Sequence, residues 1–369
     1  MGEEISAGTS MAAPHVAGAA ALLQSALVQE GRRARAIDLS RALLATAKPV
    51  PGASRVDAGR GVLDVPAAYD WLHASHQTGM YLVRSLPDGG NASGGSGAYR
   101  RAGLASPLDT VQQFLVTPMG GQAAARLLLA ADADWLRAPD RLELSGAPAT
   151  VTVTYDAGRL REPGLYVGTV WARQASDTLA GPAFGLTNTV VVPYHLAEPF
   201  EERGSIRPGQ LARYYFAVPP DAGGLVASIE IGGGGTGSLY LFEPTGQPHR
   251  GGGRVEVGGS EPARGTITVR ANDLVPGVYE AVVVAPPNSG ARYRISAALP
   301  AIAVEEVGPG PTAVLRNRTD NAVDVELRAQ VLITVRSLEP SAATFFASLM
   351  STYGPFLSDR LIDYFFLFP

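Results

Sequence analysis

At 369 residues the chain is long enough for two or three domains. Its zero cysteines exclude disulfides and a thiol nucleophile, and a formal net charge of −4 argues against a nucleic-acid partner. With 43 glycines and 28 prolines beside 46% hydrophobic residues, the composition points to turn-rich β domains rather than disorder.

The first element is a helix. Val16 to Leu23 is nearly all small or apolar, without a polar stripe, and such a helix is expected at the centre of a domain. Gly8 and Thr9 supply a turn before it, and Pro14 is expected in the first helical turn, where N–H groups have no intrahelical partner. Ser10 at this start fits an N-cap on residue chemistry alone. A serine hydroxyl beside free N–H donors and the positive helix end would also suit oxyanion stabilisation.

Arg35 to Ala47 predicts a second helix, with Ile37, Leu39, Leu43 and Leu44 near helical spacing and Lys48-Pro49 ending it. The basic run from Gly31 to Arg35 reads as a solvated turn between the two helices. In Gly59 to Leu72, Gly59 and Gly61 suit a tight turn and Pro66 the first turn of a further helix. His73 and His76, three apart at its end, read as a solvated terminus rather than a metal pair.

The literal run Gly8-Thr9-Ser10-Met11-Ala12-Ala13-Pro14-His15-Val16-Ala17-Gly18 resembles the serine motif of the subtilisin-like peptidases, the subtilases. Gly59 to Leu72 resembles the strand and helix that close a subtilase catalytic domain. The resemblance implies that Ser10 is the nucleophile and that its backbone N–H is one oxyanion donor. It also implies that His15 is not the catalytic histidine but a structural residue inside the buried helix.

Subtilases order their triad Asp, His, Ser. Nine residues precede Ser10, none is histidine, and Glu3 and Glu4 lie in no recognisable motif. The remaining histidines, His73, His76, His195 and His249, all lie downstream. The expectation is therefore the tail end of a catalytic domain, with the apolar surface of its helix left uncovered and no peptidase activity on its own.

Beyond His76 the pattern turns to alternation. Asp88 to Gly97 reads as a flexible loop, and Asn91-Ala92-Ser93 and Asn317-Arg318-Thr319 fit the glycosylation sequon. Strand-like runs at QQFLVTP, ARLLLAA, TVTVTYD, GLYVGTVWA and TNTVVVPYHL predict an antiparallel β-sandwich over residues 77–200. ARYYFAVP, LVASIEIG, GSLYLFEP, GTITVRA, GVYEAVVVA and ARYRISAAL predict a second over 201–300. Pro163-Gly164-Leu165-Tyr166 and Pro276-Gly277-Val278-Tyr279 each launch a strand from a Pro-Gly turn. Gly232 to Gly235 lacks the Lys-Ser/Thr of a phosphate loop and reads as a hairpin loop.

Residues 301–369 read as a partial β module with an aromatic tail from Ala343. Asp359, Arg360 and Asp363 keep that tail short of the ~20 apolar residues of a membrane helix. The fold class expected is thus an α/β remnant over residues 1–76 followed by mostly β structure.

The Trp135-to-Leu144 segment, the Gly158-Leu160-Glu162-Tyr166 spacing and the Pro208-Gly209-Gln210 turn sharpen the resemblance, over roughly residues 1–300, to the tripeptidyl-peptidase II family of subtilases. This implies peptide substrates cleaved at free N-termini and homo-oligomeric assembly through the β-rich region. It implies a cytoplasmic setting, with a secreted one also open. The acidic residues with which that family holds the substrate N-terminus are expected upstream of Met1. No cofactor, metal, nucleic acid or membrane span is expected. The competing reading is a non-catalytic β-sandwich binding or assembly protein that keeps a relic peptidase helix.

Overall fold

A computed structural model describes residues 8–300, apart from short stretches at 75, 77–78, 87–94, 96, 105 and 120–123, together with strands at 302–306 and 313–317. The first sequon and most of the Asp88–Gly97 loop lie outside the described residues, as does the aromatic tail with Asp359, Arg360 and Asp363. All described residues belong to one unit, Met1–Arg318.

Four helices come first: α1 (Thr9–Gln29), α2 (Ala36–Thr46), α3 (Arg55–Ala58) and α4 (Val65–His73). Ala19, Leu23 and Leu27, four residues apart, form the inner stripe of α1 and pack on Ala42 and Leu43 of α2 and on Ala68, Trp71 and Leu72 of α4. Ala20, Gln24 and Ala26 are partly covered, and most of the rest of α1 is open. Met11, Val16, Leu22 and Val28 are exposed, Leu22 at 65%. Burial of the whole helix, read from its apolar sequence, is not what the structure shows, because the described residues cover only this one stripe. The expectation that its remaining apolar surface stands uncovered is met. By length and composition alone α1 is also long and apolar enough to cross a bilayer, a property not expected from the sequence of the C-terminal tail.

Pro14 falls in the second turn of α1 rather than the first, because the helix begins at Thr9. Lacking an N–H, it leaves the Ser10 carbonyl without its intrahelical donor. The strand expected near Gly59–Val62 is reduced to a single bridge, Lys48 with Val62. Gly61 makes that bridge possible: its φ is +110, and a Cβ there would lie 1.9 Å from the Lys48 carbonyl oxygen. Asp64 caps α4 by accepting from the Ala67 N–H, with Pro66 in the first turn as read.

The remainder is mostly β. Its first part holds β1 (Tyr81–Ser85), β2 (Gly97–Arg100), β3 (Val111–Pro118), β4 (Ala125–Ala131), β5 (Leu136–Arg137), β6 (Arg141–Leu144), β7 (Ala149–Tyr155), β8 (Gly164–Gln174) and β9 (Asp177–Val192). They form two sheets, β1-β3-β7-β5 and β2-β9-β8-β4-β6. One core cluster joins them, including Phe114, Val116, Val151 and Val153 from the first sheet and Leu127, Val170 and Leu186 from the second. The strict alternation of burial along β7 shows one face inward and one to solvent.

The second part holds β10 (Tyr194–His195), β11 (Phe200–Ile206), β12 (Leu211–Val218), β13 (Gly224–Ile231), β14 (Thr236–Phe242), β15 (Arg254–Gly258), β16 (Ala263–Arg270), β17 (Gly277–Val284) and β18 (Ala291–Ala298). Its sheets are β10-β12-β17-β14-β15 and β11-β18-β13-β16. Phe216, Leu239 and Val283 of one meet Leu225, Ile229 and Ile295 of the other. β17 is buried almost throughout because its outer face is covered too: Val278 and Tyr215 cluster with Val191 of the first part. β19 (Ile302–Glu306) and β20 (Ala313–Asn317) pair with each other.

Both Pro-Gly turns launch strands as read, β8 from Gly164 and β17 from Gly277, each glycine at positive φ. The four-glycine run is a different matter. Gly232 to Gly235 joins β13 to β14, which lie in different sheets, so it carries a crossover and not a hairpin.

Candidate active site

Ser10 is the second residue of α1 and is exposed. The cap position belongs to Gly8, at φ 145, and no side chain caps the helix. The N-cap role that residue chemistry suggested for Ser10 is therefore not the one it occupies. Gly8 holds the first turn, its carbonyl accepting from Met11 N–H at 3.0 Å and Ala12 N–H at 3.2 Å. The Ser10 N–H precedes these two donors, meets no backbone carbonyl among the described residues, and sits at the positive end of the helix dipole. A hydroxyl and an N–H are thus presented together at an open helix end.

No hydrogen bond joins Ser10 to a histidine or carboxylate among the described residues. His15 is exposed, not buried as its helix suggested, and its Nδ1–H donates to the Met11 carbonyl at 2.7 Å. His73 and His76 part company. His73 Nε2–H donates to Glu30 Oε2 at 2.7 Å, whereas His76 Nδ1–H donates to Asp177 Oδ2 at 3.0 Å. The His76 side chain is only 10% exposed, so the solvated terminus read from sequence holds for His73 but not for His76. His249 is buried against Glu243 at 3.1 Å, and His195 is exposed on β10. No group of three or more His, Asp or Glu residues placed to hold a metal occurs among the described residues.

The helices that carry Ser10 are seated on the β structure by contacts that sequence reading missed. Trp71 Nε1–H donates to the Ala180 carbonyl on β9, and Arg41, buried on α2, donates to the Gly79 carbonyl. Arg55 and Arg60 lie 4.6 and 4.0 Å from the centre of the Trp171 ring on β8. Burial, with Arg55, Arg41 and Arg173 nearby, pushes the Arg60 guanidinium down to about 10. Arg213 on β12 bonds Asp57 on α3. These partners lie up to 156 residues apart. Local sequence carries no signal for them.

The subtilase family model matches residues 3–66, the stretch from just before Ser10 to the start of α4. Two curated relatives are tripeptidyl-peptidase 2 of Arabidopsis thaliana, 27% identical over 64% of this chain, and that of Drosophila melanogaster, 28% identical over 58%. The crystal structure of tripeptidyl peptidase 2 superposes with a TM-score of 0.65 at 22% identity, covering 82% of this chain and 27% of that one. The protein is subtilase-like and tripeptidyl-peptidase II-like. The chain spans 18% and 16% of the lengths of the two curated relatives. The fold likeness reaches well beyond the 64 residues of the motif region into both β parts.

Proposed function

We propose that this chain carries the nucleophile end of a tripeptidyl-peptidase II-like serine peptidase, with Ser10 as the attacking group. The observation that carries the reading is Ser10 itself: exposed, in the first turn of α1, within the subtilase match, and relieved of a capping role. In the reaction, a histidine takes the Ser10 hydroxyl proton while Oγ bonds to the scissile carbonyl carbon of a peptide. The developing oxyanion accepts from the Ser10 N–H. The same histidine returns the proton to the leaving amine, and water then hydrolyses the acyl-enzyme.

None of the five histidines is bonded to Ser10, and no base contacts the serine among the described residues. In subtilisin, loss of the serine or the histidine alone costs about 2 × 10⁶ in turnover. The chain by itself is therefore inactive, and activity requires an aspartate and a histidine brought by a further polypeptide segment. The open face of α1 is where that segment packs. The paired sheets at 77–200 and 201–300 act as β-sandwich modules that support it and carry assembly into homo-oligomers. The substrates are oligopeptides with free N-termini.

A fluorophosphonate probe tests this. Ser10 stays unlabelled in the chain alone and becomes labelled on mixing with a segment bearing the subtilase Asp and His motifs; Ser10→Ala abolishes the signal. Labelling of the chain alone would overturn the dependence on a second segment, and no labelling in the mixture would overturn the role of Ser10.

The second reading, a β-rich binding or assembly protein without catalysis, draws on the absence of a base at Ser10. Gel filtration with circular dichroism separates the two: a stable β-rich oligomer indifferent to the added segment favours it.

A further inference from the structure

The outer face of the sheet β2-β9-β8-β4-β6 carries a row of arginines that the chemistry of Ser10 does not use. Arg173 on β8 lies directly opposite Leu128 on β4, and Leu128 directly opposite Arg141 on β6. At about 4.8 Å per strand, the two arginines stand about 10 Å apart at the backbone on one face. Both are exposed, and Leu128 between them is 39% exposed. Trp171, two residues before Arg173 and on the same face, extends the row: the guanidiniums of Arg60 and Arg55 lie 4.0 and 4.6 Å from its ring centre.

This positive charge is poorly answered within the fold. Asp132 is fully engaged, Oδ1 accepting from the Thr169 N–H at 2.7 Å and Oδ2 from Trp171 Nε1–H at 2.9 Å, with Arg55 Nε 3.6 Å away. Glu143, two residues beyond Arg141, is held by Arg126 at 2.7 Å. Asp140, beside Arg141, is the one carboxylate along the row that no described residue bonds. Arg60, Arg141 and Arg173 make no hydrogen bond or ion pair among the described residues. Their crowding is felt at half-buried Arg60, whose guanidinium is held down at about 10 by burial and by Arg55, Arg41 and Arg173.

We propose that this face docks an acidic polypeptide segment in extended form. Each free guanidinium offers a planar fork that matches a carboxylate with two parallel hydrogen bonds. Acidic side chains two residues apart on an extended chain are about 7 Å apart, and the length of glutamate and arginine side chains spans the remainder of the row. Leu128 takes an apolar side chain between the two charges. A nucleic acid fits less well. The Trp171 ring already carries two guanidiniums, and it rests so close on β9 that a Cβ at Gly185 would lie 2.6 Å from its Cζ3, which leaves little room for a stacked base. The net charge of −4 also opposes the approach of a long polyanion.

The test is fluorescence anisotropy of the full chain with a short labelled peptide that alternates glutamate and serine around a central leucine. The same peptide with glutamine for glutamate and a labelled oligothymidylate serve as comparisons. The glutamate peptide binds saturably, at least tenfold more tightly than either, and more weakly as salt is added. The double variant Arg141→Gln with Arg173→Gln weakens it at least tenfold; both residues are exposed and unpaired, so the fold is retained. Arg250→Gln, at an exposed arginine of the second β part, changes nothing. Arg60→Gln also weakens binding, and if loss of its Trp171 contact unfolds the helices the exposed pair decides alone. No saturable binding, equal binding of the glutamine peptide, tighter binding of oligothymidylate, an equal loss in Arg250→Gln, or undiminished binding in the double variant each overturns the assignment.

Discussion

Arg213 on β12 donates through Nη2 to Oδ1 of Asp57 on α3 at 2.7 Å, joining the helices that carry Ser10 to a strand of the second β part. Its Nη1 donates to Glu280 Oε1 at 2.5 Å, and Glu280 also accepts from Arg101 Nη1 at 3.0 Å. Burial works against the charge on Arg213, yet its hydrogen bonds to the carboxylates of Asp57 and Glu280 hold its guanidinium above the ordinary arginine range. One side chain therefore ties three segments together. Arg213→Met leaves Asp57 without this partner and Glu280 with a single cation. The expected loss is about 2–4 kcal/mol in urea unfolding, at or below the range for breaking a buried pair because Arg213 and Asp57 are a quarter exposed. Arg213→Lys recovers only a fraction, since one ammonium cannot fork between two carboxylates. A change within 0.5 kcal/mol for Arg213→Met would show that the network does not hold the parts together.

Adjacent residues on α1 are predicted to behave oppositely. Leu23 is 2% exposed within the helical core and Leu22 is 65% exposed. Leu23→Ala costs about 2–5 kcal/mol through lost burial and a cavity. Leu22→Glu changes the stability of this chain by no more than about 0.5 kcal/mol, as expected of a surface site. The same Leu22→Glu blocks restoration of Ser10 labelling by the complementing segment, because that segment packs on the open face. Chemical unfolding reads the first two outcomes and the labelling assay the third.

The sequence marked the strands well because period-two alternation is local: Val111–Pro118 and Ala149–Tyr155 can be read from their own residues. Ser10 was legible for another reason, a literal motif at the start of a helix. Sheet membership was not. Nothing in Gly232 to Gly235 says whether the chain returns in the same sheet or crosses to the facing one, since glycine permits both. Exposure of α1 was misread from its own sequence because burial depends on what else is there to cover it. The His76–Asp177 pair, 101 residues apart, was invisible for the same reason.

The Glu30–His73 pair gives a pH dependence with a definite sign. Both ring nitrogens of His73 face acceptors, Nδ1 the Tyr69 carbonyl at 2.9 Å and Nε2 the Glu30 carboxylate at 2.7 Å, which the imidazolium satisfies together. The Tyr69 carbonyl and then Glu30 accordingly raise the His73 pKa. The Glu30 carboxyl is lowered in turn by Tyr69 and His73. His73 thus contributes stability that is fully present below its unfolded value of about 6.5 and is lost as pH rises through its folded value. Glu30 contributes above about 4.3 and loses its contribution on acidification. The stability gap between the native chain and His73→Gln should be larger at pH 5.5 than at pH 8.5. A gap that is equal or grows with pH contradicts the pairing, and NMR titration of the His73 ring gives the direction independently.

Within the first β core, the Tyr155 hydroxyl donates to Asn188 Oδ1 at 2.9 Å, and Asn188 Nδ2–H donates to the Leu186 carbonyl at 2.8 Å. Asn188 is fully buried on β9. Tyr155→Phe keeps the ring against Trp135 but leaves the Asn188 oxygen without a donor in an apolar setting, a loss of about 1–3 kcal/mol. Removing both polar groups should hurt less than orphaning one. The double variant Tyr155→Phe with Asn188→Leu is accordingly expected to unfold at a urea concentration no lower than Tyr155→Phe alone, giving a coupling energy of about 1 kcal/mol or more across the cycle. Strict additivity of the two losses would mean that the hydrogen bond contributes nothing and that ring packing alone sets the stability of this core.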